Sequence, residues 1–244
     1  MKSTQPPPSF RPLYRQIKAR LTERLSAGEW RPGEPIPSEI ELAQRFSVSQ
    51  GTVRKAVGEL ADENVLVRRQ GRGTFVASHA HARSQLSFLR LMPDDAEVGA
   101  LEAELIDLRR VRADATSARL LELPAGATLV RLRRTLSING ERVLFEEARI
   151  PADLFQGLDT DVVGRHRCML YSMYESAYHV KIVAAEERLK AVNADADTAG
   201  ILGIAPGSAL LLMERVAYTY DRKPVELRRG FCNTLRHHYA NEIT

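Results

Sequence analysis

The chain has 244 residues, 44% of them apolar and 27% charged, enough for two modest domains, each with its own core. No apolar run is long enough to span a bilayer, and the start, MKSTQPPPSF, lacks the apolar centre of a signal peptide, so a cytoplasmic location without membrane attachment is expected. Two cysteines, Cys168 and Cys232, are too few for a disulfide framework and lack metal-ligand spacing.

The net charge of +4 is unevenly spread: residues 1–77 carry 13 Lys/Arg against 8 Asp/Glu, a net of +5, which leaves −1 for the remainder. A basic first part beside a near-neutral second part suits a protein that neutralises phosphates with one domain only. A membrane surface is disfavoured because no basic amphipathic helix with exposed Trp or Phe accompanies the charge.

Residues 1–10, with Pro6-Pro7-Pro8, read as a flexible arm. Pro12 suits a helix start, and Leu13, Ile17, Leu21 and Leu25 fall on one face until Gly28 stops the helix. Trp30-Arg31-Pro32-Gly33 is a turn, with Trp30 expected in the core. Ser38 then caps a helix, with Glu41 placed to reach back to the Ser38 amide, and Leu42, Ala43 and Phe46 lie on its apolar side. Ser47-Val48 makes a tight turn. Ser49 caps a second helix whose Val53, Ala56, Val57 and Leu60 recur at helical spacing, while Gln50, Thr52, Arg54 and Lys55 cluster on the opposite face near its start. Val65 to Val67 and Thr74 to Val76 read as strands joined through Gln70-Gly71-Arg72-Gly73. Taken singly, an amphipathic helix with two basic residues is usually a solvated face, and a basic hairpin is usually a turn. The ordered set is far more specific: it predicts a winged helix-turn-helix with the polar end of its second helix at base edges.

Ser78 to Gln85 has no apolar periodicity and reads as a linker between domains. Its His79 and His81 are expected to be solvated rather than metal ligands, and so are His237 and His238. From residue 86 the pattern changes to strands with intervening helices. Leu105 to Val111 is strand-like and Ala118 to Leu123 a short helix. Leu129 to Ile138 and Arg142 to Ile150 form a hairpin about Asn139-Gly140. Met169 to Tyr178 reads as a helix, Lys181 to Val192 as a strand and Asp195 to Leu202 as a helix. Ala209 to Tyr220 and Lys223 to Asn233 make a second hairpin. The segment from Leu123 to Leu129 is echoed from Ile204 to Leu210, which suggests two related halves around one sheet.

Strand alternation places Arg134 on one face with Val130 and Leu132, and Glu146 with Leu144, Ala148 and Ile150. Glu226 and Arg228 also share a face. Charged groups among apolar neighbours require a partner or a ligand, and the two readings are structural ion pairs or a ligand site.

The segments Leu13-Tyr14-Arg15-Gln16-Ile17, Pro37-Ser38-Glu39, Glu41-Leu42-Ala43, Thr52-Val53-Arg54 and Gly73-Thr74-Phe75-Val76 closely resemble the DNA-binding domain of the GntR family of bacterial transcription regulators. The resemblance implies contacts to double-stranded operator DNA from Ser38, Ser49, Gln50, Gly51, Thr52, Arg54 and Lys55. In the wing it implies contacts from Arg69, Gln70, Arg72 and Gly73. Ile40 and Gln50 stand where many members carry an Arg, so the family's usual operator is not carried over. Residues 86–244 resemble the UTRA effector domain of the HutC subfamily, whose fold is like that of chorismate lyase, on Arg134, the Asn-Gly hairpin, Glu146, Ile150-Pro151, the Ala-Pro-Gly turn and Pro224-Val225-Glu226.

The expected whole is an α+β chain: a winged helix-turn-helix over 1–77, a linker over 78–85 and a chorismate-lyase-like α/β effector and dimerisation domain over 86–244. The resemblance places the effector against Arg134, Glu146, Arg149, Met169, Tyr171, Glu226, Arg228 and Cys232. Sugar-phosphate-sensing members resemble this chain except that they have Arg, Ser and Tyr where Leu136, Met169 and Cys232 stand. Lost donors disfavour a phosphate, and Arg134 with Arg149 or Arg228 suits a small organic acid. A homodimeric, effector-controlled repressor without cofactor or catalytic residues is expected. An enzyme acting on a small organic acid and an effector-independent DNA-binding protein are the alternatives.

Overall fold

The computed structural model describes residues 11–78, 90–95, 101–166 and 169–241. The arm over residues 1–10, most of the expected linker with His79 and His81, and Cys168 lie outside the described residues. The chain divides into two compact units after Ser78.

In the first unit, α1 (Leu13–Ser26), α2 (Glu39–Phe46) and α3 (Gln50–Asp62) are followed by β1 (Leu66–Arg69) and β2 (Gly73–Val76). The apolar stripes meet in one core of Ile17, Leu21, Leu25, Leu42, Phe46, Val53, Val57 and Leu60, with α1 packed on α3. Leu13, at the first turn of α1, departs from the expected stripe and is exposed. Trp30 is buried, as its residue type suggested. Ser47 ends α2 in the left-handed conformation, and the chain turns directly into Ser49, whose side chain accepts from the Thr52 amide. The wing is an antiparallel pair, Leu66 opposite Val76 and Arg69 opposite Gly73, and Ile36 adds its amide to the Thr74 carbonyl on the other side of β2.

The second unit is built on a six-stranded antiparallel sheet in the order β4-β5-β6-β9-β8-β7. Its strands are β4 (Leu101–Arg112), β5 (Thr128–Ile138), β6 (Glu141–Pro151), β7 (Ala184–Asn193), β8 (Ala209–Tyr218) and β9 (Pro224–Asn233). The internal echo has a structural basis in two strand–helix–strand–strand runs. One is β4, α4 (Ala115–Leu120), β5, β6; the other is β7, α7 (Ala196–Leu202), β8, β9; they meet where β6 pairs with β9. In both runs an aspartate, Asp114 or Asp195, caps the helix by accepting from an amide three residues on. Asp114 starts α4 one turn earlier than the sequence pattern suggested. The Asn139-Gly140 turn has positive φ at both residues, 52° and 80°, as a tight hairpin loop requires.

One face of the sheet is covered by α5 (Thr160–Arg165) and α6 (Leu170–Tyr178), with Val130, Leu132, Ala148 and Ile150 packed against Tyr171, Met173 and Tyr174. At the other end of this face, Leu136, Leu144, Met213 and Cys232 pack with Leu91. Leu91 belongs to β3 (Leu91–Pro93), which pairs with β10 (His237–Tyr239) in a separate ribbon. The opposite face carries α4 and α7, over Leu129 and Leu227 and over Phe145 and Leu210 respectively.

Sequence periodicity alone missed α5, β3 and β10. It also began β7 three residues early, at Lys181, which is buried before the strand starts. His237 is a correction: it is not solvated but 5% exposed, because the ribbon places it on the covered side, whereas His238 points outward to Asp94 at 2.8 Å.

Candidate DNA-reading surface and effector site

The start of α2 is fixed by a reciprocal cap: the Glu41 amide donates to Ser38 Oγ at 3.3 Å, and the Ser38 amide donates to the Glu41 carboxylate at 2.8 Å. Hydrogen bonding from the Ser38 hydroxyl and amide holds the Glu41 carboxyl below the usual carboxylate range. At the start of α3, Ser49 and Thr52 hydroxyls lie 2.9 Å apart, and Ser49, Gln50 and Gly51 are exposed. Lys55 stands over the Tyr14 ring, Nζ 4.0 Å from its centroid. Arg54 donates from Nε to Glu39 Oε2 at 2.9 Å, and Arg68 of β1 donates to Glu39 Oε1 at 3.2 Å. In the wing, Arg69 stacks its guanidinium 4.6 Å from the Phe75 ring, and Gln70, Arg72 and Gly73 are exposed. Arg68 was absent from the sequence reading; it is exposed on β1, and its Nη2 reaches the Arg54 carbonyl of α3 at 3.3 Å.

On the α6 side of the sheet, charged residues of neighbouring strands meet. Arg134 of β5 donates from Nε to Glu146 of β6, its cross-strand partner, and Nη2 closes on the same carboxylate. Arg228 of β9 reaches Glu146 from Nη1 at 3.2 Å and clasps Glu226 from Nε at 2.9 Å and from Nη2 at 2.6 Å. The Tyr171 and Tyr174 hydroxyls of α6 donate to Glu226 at 3.1 and 2.7 Å, and the Arg228 guanidinium lies 4.9 Å from the Tyr171 ring centroid. Arg215 of β8 donates to Tyr171 Oη at 3.2 Å and to Glu187 of β7 at 2.6 Å, and Tyr239 donates to Glu187 at 2.7 Å.

Arg134, Glu146, Tyr171, Tyr174, Arg215, Glu226 and Arg228 are buried, and Glu187 and Tyr239 at the edge of the network are half-buried. Burial opposes ionisation of Glu146, but Arg134 and Arg228 outweigh it and hold the carboxyl below its ordinary range. Burial likewise opposes the Arg228 charge, and Glu146 and Glu226 overcome it, so the guanidinium is held firmly protonated. Burial with the nearby Glu226 charge raises both tyrosines, so their hydroxyls remain donors. Cys232 lies in the apolar cluster with Leu136 and Leu144, where burial pushes its thiol up to about 12.

The structure brings Arg134, Glu146, Tyr171, Glu226 and Arg228 together. It does not bring Arg149 to them. Arg149 is on the opposite face, where it donates to Asp114 at 2.6 Å, Ser117 at 3.0 Å and Glu147 at 2.8 Å. Alternation along β6 puts 149 with 147, away from Glu146, so of the two expected partners of Arg134, Arg149 is on the wrong face and Arg228 shares its face. Met169 is the cap position of α6 and contributes no side-chain cap bond. Arg215, Glu187, Tyr174 and Tyr239 were missed. The signal for Arg215 was present: the separation that carries Gly126 onto Gly207 also carries Arg134 onto Arg215.

Residues 13–76 match the family model of bacterial regulatory proteins of the gntR family, and residues 97–238 match that of the UTRA domain. The chain is 30% identical over 238 residues to the HTH-type transcriptional repressor NagR of Bacillus subtilis, covering 96% of both chains. The chain belongs to the GntR family of transcription regulators and carries a UTRA domain. It is also 27% identical over 233 residues to the probable fructoselysine utilization operon transcriptional repressor of Escherichia coli, covering 95% of this chain and 92% of that one. Among solved structures, the ligand-binding domain of a protein described as a GntR-family regulator from Bordetella bronchiseptica is 40% identical. It covers 64% of this chain and 96% of that one with a TM-score of 0.62. Among the described residues no helix is long and apolar enough to cross a membrane, and no group of His, Cys, Asp or Glu is placed to hold a metal ion.

Proposed function

We propose that this GntR-family regulator is a homodimeric repressor that reads operator DNA with α3 and the wing and releases it when a small carboxylate binds beside Arg134. The observation that carries the effector reading is the buried chain of Arg134, Glu146, Arg228 and Glu226, in which Arg134 commits Nε and Nη2 to Glu146. Its Nη1 takes no part in those contacts and is the donor offered to a ligand. Leu136 and Cys232 fill the adjoining end of this face with apolar surface, which leaves too few donors for the several oxygens of a phosphate. One relative is named as a repressor of a fructoselysine utilization operon, which supports control by a metabolite.

A second copy is part of this reading because a winged helix reads few base pairs, and two-fold dimers gain affinity from two half-sites. The near-neutral second unit suits the dimer contact. Among the described residues, enzyme activity is disfavoured by a network whose acids are each closed on an arginine.

The test is a thermal-shift screen of organic acids, amino-acid derivatives and sugar phosphates on the full chain, repeated with Arg134→Gln. A carboxylate that stabilises the wild type, fails with Arg134→Gln and weakens operator binding establishes the reading. A sugar phosphate as the best ligand, or a carboxylate effect that survives Arg134→Gln, overturns it.

A further inference from the structure

We infer that Glu39 is the positioning residue for Arg54, fixing that arginine for base reading and tying the wing to the same point; this rests on the reading that α3 faces operator bases. Glu39 is the first residue of α2, directly after the capped Ser38, so its backbone is set by the reciprocal cap. Its side chain is 22% exposed against 61% for Arg54, so the carboxylate sits beneath a guanidinium that reaches outward. Oε2 takes Arg54 Nε at 2.9 Å and Oε1 takes Arg68 Nη2 at 3.2 Å, and the same Arg68 nitrogen reaches the Arg54 carbonyl at 3.3 Å. One carboxylate therefore fixes residues from α3 and from β1.

Which nitrogens are held decides what the arginine can read. The grip on Nε fixes the guanidinium plane and leaves Nη1 and Nη2 as the outward pair, the fork that matches O6 and N7 of guanine in the major groove. An unheld arginine gives up its rotamer freedom on binding; one already held gives up little. The negative charge has a second effect. With Glu39 between Arg54 and Arg68, two cations and one anion face the duplex, so attraction to any phosphate backbone is lower than the arginines alone would give. Glu39 thus favours specific over non-specific binding by both routes.

The experiment uses the full chain and a duplex obtained by binding-site selection with the wild type, against a scrambled duplex of equal length. Glu39→Ala is expected to lower the ratio of selected to scrambled affinity about tenfold, while affinity for the scrambled duplex rises. Glu39→Gln, which keeps one acceptor oxygen without the charge, should give an intermediate ratio. Added to Arg54→Ala, the Glu39→Ala change should lower the ratio no further. Loss of affinity for both duplexes in equal measure would show a merely structural role and overturn the inference. A rise in selected-duplex affinity would overturn it too, by showing Glu39 to be a competitor for Arg54. If Arg54→Ala itself leaves the ratio unchanged, the base-reading assignment of α3 fails; if Arg54→Ala lowers the ratio and Glu39→Ala does not, the positioning role alone fails.

Discussion

Arg228 and Glu226, two residues apart on β9, clasp each other through two near-parallel contacts, Nε to Oε1 at 2.9 Å and Nη2 to Oε2 at 2.6 Å. Residues at this spacing share a face of the strand, so the pair is fixed by β9 itself and needs no neighbour for its geometry. Neighbours add the rest: Tyr171 and Tyr174 donate to Glu226 from above, and Glu146 takes the remaining Arg228 nitrogen from β6. Breaking a buried pair from one side leaves the other charge uncompensated.

Glu226→Gln is accordingly expected to destabilise the second unit by about 3 kcal/mol, since Arg228 keeps only Glu146. Tyr174→Phe removes one hydroxyl donor while Glu226 keeps Tyr171 and Arg228, and is expected to cost about 1–2 kcal/mol. Urea unfolding followed by probes in each unit checks both values. Equal stability of wild type and Glu226→Gln would show that the clasp contributes nothing net.

The same ledger selects the variant that tests the effector site. Glu146 has two arginine partners and is 2% exposed, so Glu146→Ala leaves Arg134 and Arg228 facing a cavity and is expected to cost about 3–5 kcal/mol. Arg134→Gln leaves Glu146 with Arg228. It is expected to fold, to bind operator duplex as the wild type does and to lose its response to a carboxylate effector. Titration of operator release against effector concentration reads this directly. Release at the wild-type concentration would place the ligand elsewhere.

Much of this was legible in the sequence because the signals were local. Ser38 with Glu41, Ser49 before an apolar period and Asn139-Gly140 between strands each specify structure within a few residues, and each is present as expected. Alternation also placed Arg134 and Glu146 on one face, and it should have excluded Arg149, three residues beyond Glu146. What was not legible depends on distant packing. β3 and β10 are three-residue strands that exist only through pairing with each other across most of the second unit, and His237 is buried for that reason. Tyr174 and Arg215 read as ordinary core and strand residues until the sheet brings them to Glu226 and Tyr171.

Lys181 lies just before β7, 2% exposed, and burial pulls its amine down to about 8 although Glu175 acts in the other direction. The folded value is below that of an unfolded lysine, so between about pH 8 and pH 10 the unfolded chain binds more protons than the folded one. By linkage this group makes stability rise with pH through that window and costs stability below it. Lys181→Met is expected to lose the rise between about pH 8 and 10. Melting temperatures of both proteins across that range test it; parallel curves would show that Lys181 titrates normally.

Gln50 is the first residue of α3, exposed beside the Ser49 cap, at the end of the helix expected to meet base edges. The amide of Gln pairs with N6 and N7 of adenine, whereas the fork of Arg pairs with O6 and N7 of guanine, each worth about 1–3 kcal/mol of discrimination. Gln50→Arg is therefore expected to move the preferred base at one position of each half-site from adenine to guanine, leaving other positions as they were. Lys55→Ala provides the contrast, on the expectation that Lys55, held over the Tyr14 ring, meets a phosphate, which carries no sequence information. It should weaken binding to every duplex alike and reduce the salt slope by about one. Binding-site selection with both variants separates the two roles. Unchanged base preference for Gln50→Arg would show that the first turn of α3 does not enter the groove.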